Sequence, residues 1–266
     1  MFFVVLFFIL AGGFSFLFDY FIPLSHWFLF LWIPMSIILA VVIILGGIIL
    51  FVYLCPKNNP KGKVRHFIMR NALWLTLKFE HVHTEVVGLE NIDPNETYVI
   101  YGNHKSMLDP VIMYVNMHVT LTAIGKSEIF ENGLVNTIAK AFGAISLNRN
   151  NTREAVKSIN QGIETLKGGL SVIIFPEGGI LTREDEHMTG LRAGAYKLVL
   201  KSERPILPIT LIGTSKIAST PRIKRKNVKL IIHKPIKYEE VKDLNTNQIG
   251  EMVEELINGD INENKN

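Results

Sequence analysis

His104 and Asp109 stand five positions apart in "NHKSMLD", directly after the apolar run "TYVIYG". An imidazole steadied by a carboxylate can take a proton from a hydroxyl at neutral pH, since the unperturbed pKa of histidine is about 6.5. On one unbroken helix, five steps of about 100° would turn the two side chains apart, so a shared site needs a turn before the helix begins. "SMLDP" offers that turn, because an aspartate followed by proline marks a helix start. The same two residues also have a purely structural explanation, with Asp109 an N-cap and His104 a loop histidine.

Two further stretches carry compatible chemistry. "IIFPEGG" is an apolar strand ending in proline, a carboxylate and two glycines. It puts Glu177 and Gly178 where a ligand could approach the backbone closely, although the same residues make an ordinary turn. "AISLNRNNTRE" carries Arg149 and Arg153, and arginine is suited to gripping a phosphate through two parallel hydrogen bonds. The alternative there is a solvated loop whose Asn151 or Thr152 caps the next helix. "EHVHTE" puts His81 and His83 on one face of a strand, but no cysteine or carboxylate cluster completes a metal site, so they read as surface histidines. "PRIKRKNVK" is too short and lacks the interleaved aromatics of a nucleic-acid surface; it suits anionic headgroups or a solvated loop.

These loops need a frame. Beyond Glu80, short β-branched runs alternate with helical stretches, which predicts an α/β domain with a mostly parallel or mixed sheet flanked by helices. "TEVVGL", "TYVIYG", "VTLTAIG", "AISLN", "LSVIIF", "ILPITLIG" and "VKLIIH" read as strands. "DPVIMYVNM", "NGLVNTIAKAF", "REAVKSINQGIETLKG" and "LRAGAYKLVLKSE" read as helices. Ligands of such sheets bind at the carboxyl ends of strands, where the three candidate loops fall.

The first fifth of the chain differs. From Met1 to Leu54 the only formal charge is Asp19, and the apolar run breaks into two segments at "DYFIPLSHW". About 20 apolar residues span a bilayer, so the pattern predicts a membrane-inserted helical hairpin over 1–56, crossing fully or entering one leaflet. "MFFVVLFF" has no basic residue, which argues against a secretory signal. Lys57, Lys61, Lys63 and Arg65 follow at once and predict that the rest of the chain faces the cytoplasm. Residues 57–80 read as a basic amphipathic interfacial helix, or as a core helix with a solvated basic face. The α/β domain then occupies 81–245, and 246–266 reads as a helix end followed by a disordered polar tail, "NGDINENKN".

Composition narrows the class further. A single cysteine, Cys55, cannot form an internal disulfide, which fits a reducing compartment. The net charge of +4 is mild and scattered, which does not favour a nucleic-acid binder.

The order of the blocks is more specific than any one of them. N-H-x4-D, an arginine loop, F-P-E-G and then "RPILPITL", over roughly Val86 to Ile236 and behind an apolar N-terminus, resembles the 1-acyl-glycerol-3-phosphate acyltransferase family. The resemblance implies transfer of an acyl group from a thioester to the free hydroxyl of a lysophospholipid in the membrane, to make phosphatidate or a related lipid. His104 would be the general base and Asp109 its orienting carboxylate. Lys126, Arg149, Glu177 and Gly178 would bind the acceptor's glycerol phosphate, and Pro208 would shape the site beneath the acyl chain. No cofactor or metal is implied; acyl-CoA or acyl carrier protein would be a co-substrate. One position departs from the pattern: the third block usually continues Glu-Gly-Thr-Arg, whereas Glu177 is followed by Gly178, Gly179 and Ile180. Arg183 is a substitute for the missing arginine. The departure also raises two other readings, a different lyso-lipid acceptor and a lipid-binding scaffold without turnover.

Overall fold

The computed structural model describes residues 1–21, 29–54, 62–131 and 133–264. Seven strands form one sheet: β1 (Val82–Val87), β2 (Val99–Gly102), β3 (Leu121–Lys126), β4 (Ile145–Leu147), β5 (Ser171–Ile174), β6 (Ile206–Ile212) and β7 (Lys226–Ile232). Their order is β1-β7-β6-β2-β5-β3-β4. β6, β2, β5, β3 and β4 run parallel, while β7 pairs antiparallel with β6 and parallel with β1. All seven strands expected from the sequence are present, and the sheet is mixed.

Alternation along the central strands divides two cores. Val99 and Tyr101 of β2 point to one face and Ile100 to the other, and Val172 and Ile174 of β5 are separated from Ile173 in the same way. The Ile100 face is covered by α3 (Lys63–Phe79) and α4 (Asp109–Asn116), through residues such as Met69, Ile112 and Met113. The Val99 face is covered by α6 (Thr152–Lys167), α7 (Lys197–Ser202) and α9 (Thr246–Glu263). Two shorter helices, α5 (Gly133–Ala141) and α8 (Tyr238–Val241), complete the domain.

α9 corrects the expectation of a disordered tail, because it continues to Glu263. Asn245 caps it with Gln248 in a reciprocal box, and Ile249, Val253, Ile257 and Ile261 recur every fourth residue on the buried stripe. Each such side chain stabilises by about 1.5–3 kcal/mol, enough to outweigh the polar residues between them.

α3 resolves its two readings in part. Arg65 donates to the carbonyls of Lys140 and Ala141 at the end of α5, and Arg70 donates to Met117 O just past α4 at 2.9 Å. These two basic residues therefore face inward and satisfy carbonyls at helix C-termini, rather than lying in a solvated basic face. Phe67 and Phe79 remain exposed.

α1 (Phe2–Phe21) and α2 (Leu29–Leu54) pack against each other, with Phe18 stacked on Trp32 at 5.2 Å. Both are long and apolar enough to cross a membrane and leave most of their side chains outside the packed interior, which fits membrane association. The connector at 22–28, Cys55, Lys57 and Lys61 lie outside the described residues.

Candidate active site

β2 ends at Gly102, and the chain then turns through six residues, Asn103 to Leu108, before α4 begins at Asp109, with Pro110 in its first turn. The turn brings the two residues together: His104 Nδ1 lies 2.9 Å from Asp109 Oδ2. The same carboxylate oxygen accepts the backbone N–H groups of Lys105 at 2.7 Å and Ser106 at 2.8 Å. Asp109 thus performs both of the roles open to it, bonding local amides at a helix start and holding the imidazole. A carboxylate only accepts, so Nδ1 carries the hydrogen and Nε2 keeps its lone pair. Asp109 is wholly buried, while His104 keeps about 14% of its side chain exposed. Phe175 stacks on the imidazole at 4.1 Å and 14°, fixing the ring plane.

The imidazole opens on an apolar cavity of about 400 Å³, within the usual size range of small-molecule pockets. Val111 of α4, Ile124 and Gly125 of β3, Val135 and Ile138 of α5, and Phe175 form much of its wall. Arg149, Gly178 and Gly179 also line it. Arg149 is half-buried on the loop after β4, and its Nε has no hydrogen-bond partner among the described residues. Burial, and then the neighbouring Arg192, lower its pKa, while Glu128 acts in the opposite direction.

The remaining expected site residues divide. Lys126 lines the cavity but is exposed and paired with Glu128 at 2.8 Å. Glu177 is fully shielded: its Oε1 accepts the His104 N–H at 2.7 Å and its Oε2 accepts Lys105 Nζ at 2.9 Å. Burial raises its pKa, and the bonds from Lys105 and His104 pull the other way. Glu177 joins the loop after β2 to the turn after β5. Arg183 donates to Lys105 O at 3.3 Å and lines a surface cleft with Met107, which also borders the cavity, and Arg222. Pro208 is buried inside β6 opposite Tyr101, away from the cavity wall. Arg153 is exposed on the first turn of α6, where Asn151 provides the N-cap.

Sequence reasoning missed three residues. Lys105 shows no signal, because its partner is 72 positions away. Phe175 stands inside a strand signal that hides its stacking role. Asn103 is buried and sutures the loop to β6, donating to Leu211 O at 2.7 Å and accepting Leu211 N–H at 2.8 Å.

The mixed α/β sheet thus carries a His–Asp pair at a strand's carboxyl end, opening on an apolar cavity beside an arginine. Residues 83–212 match the family model described as Acyltransferase. Among curated proteins, the chain is 30% identical over 229 residues to the chloroplastic 1-acyl-sn-glycerol-3-phosphate acyltransferase BAT2 of Brassica napus, covering 84% of this chain and 63% of that one. It is 32% identical over 182 residues to the chloroplastic 1-acyl-sn-glycerol-3-phosphate acyltransferase LPAT1 of Arabidopsis thaliana, covering 66% and 49%. The chain therefore spans about half to two thirds of the length of these relatives. Among solved structures, the 1-acyl-sn-glycerophosphate acyltransferase PlsC of Thermotoga maritima shares the fold, with a TM-score of 0.67 and 23% identity over 86% of this chain and 92% of that one.

Proposed function

We propose that this protein transfers an acyl group from an acyl thioester to the free hydroxyl of a lysophospholipid, with 1-acyl-glycerol-3-phosphate as acceptor and phosphatidate as product. The observation that carries this reading is the His104–Asp109 pair, 2.9 Å apart, opening on an apolar cavity beside Arg149. The two curated relatives named above carry the same activity in their names.

In this mechanism Nε2 of His104 takes the acceptor's hydroxyl proton as the oxygen attacks the thioester carbonyl. A C–O bond forms, the tetrahedral intermediate collapses with loss of the C–S bond, and the imidazolium returns its proton to the departing thiolate. Asp109 holds the tautomer and stabilises the transient imidazolium. A thioester is already activated, so orientation and a base, the latter giving roughly 10²–10⁴-fold, supply much of the acceleration without a covalent enzyme intermediate. The apolar cavity holds an acyl chain, and Arg149 attracts the acceptor's phosphate. Acyl-CoA and acyl carrier protein both present the required thioester. The basic run from Lys57 to Arg65 supports a reaction at the cytoplasmic face of the membrane.

The test is acyl transfer by the purified full chain in detergent, followed by thiol release and by phosphatidate formation. Wild type consumes thioester only with lysolipid present, and His104→Ala abolishes transfer while melting as wild type does. Transfer retained by that variant would remove the mechanism.

A further inference from the structure

We propose that Arg192 supplies the second guanidinium of the acceptor's phosphate site, taking over the charge that Ile180 does not provide. The inference rests on the acyl-transfer reading and extends it to a residue and a substrate class. Gly178, in the turn after β5, has a φ of +83°. A Cβ there would collide with the Arg192 guanidinium and lie 3.1 Å from Nη1 of Arg149. The two arginines therefore converge on one glycine from separate loops. Arg149 comes from the loop after β4, and Arg192 from the segment before α7, anchored by its own backbone N–H, which donates to Pro176 O at 3.0 Å.

Neither guanidinium has an acidic partner within ion-pair distance among the described residues. Like charges held together, one of them half-buried, repel unless an anion sits between them. Lys126 offers less, being already paired with Glu128. Ile180 lines the apolar cavity instead, extending its hydrophobic wall. The protein thus keeps position 180 for the lipid tail and takes the charge from position 192.

Two guanidiniums suit a terminal phosphate monoester, which carries a charge of about −1.5 to −2 at neutral pH and offers three acceptor oxygens. A phosphodiester headgroup ending in a choline carries one negative charge and brings a cation toward the arginines. The geometry therefore favours lysophosphatidate over lysophosphatidylcholine.

The experiment compares wild type, Arg192→Met and Arg192→Lys as full chains in detergent. Arg192 is exposed, so both variants fold, and melting temperature verifies this. Loss of a charge-assisted contact raises KM for lysophosphatidate roughly 10- to 100-fold in Arg192→Met. KM for the acyl donor stays unchanged, the preference for lysophosphatidate over lysophosphatidylcholine shrinks, and Arg192→Lys retains part of the affinity. An unchanged lysophosphatidate KM, or an equal rise in both KM values, overturns the assignment. Should wild type turn over neither lysolipid, the acyl-transfer reading fails separately. Equilibrium binding of lysophosphatidate to the same three proteins then decides the role of Arg192, with equal affinities overturning it.

Discussion

Lys105 Nζ lies 2.9 Å from Glu177 Oε2, and both side chains are wholly shielded from solvent. The pair ties the loop that carries His104 to the turn that carries Gly178, across 72 positions of sequence. Removing one partner strands the other charge in a desolvated place. Lys105→Met is expected to destabilise by about 3–5 kcal/mol. Glu177→Gln is similarly destabilising, because its one oxygen can accept the His104 N–H but its NH₂ then faces the buried Lys105 ammonium. The double variant falls short of the sum of the singles by more than about 0.5 kcal/mol, a coupling that chemical denaturation measures directly.

Asp109→Asn keeps the shape of the side chain but replaces an acceptor of three N–H groups with an amide that can favour the wrong imidazole tautomer. Turnover is expected to fall roughly 10³- to 10⁴-fold, as when the carboxylate of a hydrolase triad is replaced. Asp109→Ala additionally leaves two buried backbone donors without an acceptor and lowers stability by about 1–3 kcal/mol each. Steady-state kinetics and thermal melting, run side by side, separate the two effects. Asp109→Asn with wild-type turnover would contradict the orienting role.

In the proposed reaction the cavity wall sets which acyl chains fit. Ala139 of α5 lines it, and Ala139→Phe projects a ring into that space. Donors of increasing chain length then show an optimum several carbons shorter than wild type, each excluded CH₂ forfeiting about 0.8 kcal/mol of burial. A chain-length profile measured with acyl-CoA donors checks this. An unchanged optimum would place the acyl chain elsewhere.

His233 follows the end of β7 and faces α9. Its Nε2 lies 2.8 Å from Thr210 Oγ1 and 3.4 Å from Asp260 Oδ2 of α9. Burial lowers its pKa, and Asp260 partly offsets this. A depressed folded-state pKa means that the neutral form contributes stability above about pH 6.5, and that this stability is lost as pH falls through the folded value. The melting temperature is therefore expected to decline on acidification from pH 7.5 toward 5.5. His233→Gln flattens that decline.

What could be read from the sequence follows the physics of each signal. The strands were legible because β-branched runs bounded by turn residues are local patterns, as in "LSVIIF". His104 and Asp109 were legible as a candidate because Pro110 announces the turn between them. α9 was underestimated because "NGDINENKN" is polar, although Ile249, Val253, Ile257 and Ile261 at four-residue spacing behind Asn245 carry the helical signal. The buried partner of Glu177 is not legible locally, because Lys105 lies 72 positions away. Arg192 was read as part of a helix, and its approach to Gly178 exists only once two distant loops meet. Arg183 is close in sequence to the turn, but which cleft it lines is not legible locally.

α5 gives part of the cavity its wall and also packs against α2, a helix of bilayer length. With α2 in a bilayer, a lipid tail crossing that wall passes between two oily surroundings without wetting. Supply then becomes a surface process, governed by how crowded the substrate is among its neighbouring lipids and not by its molarity in the tube. Diluting lysolipid with inert lipid at constant bulk amount should slow the reaction, whereas adding buffer alone should not.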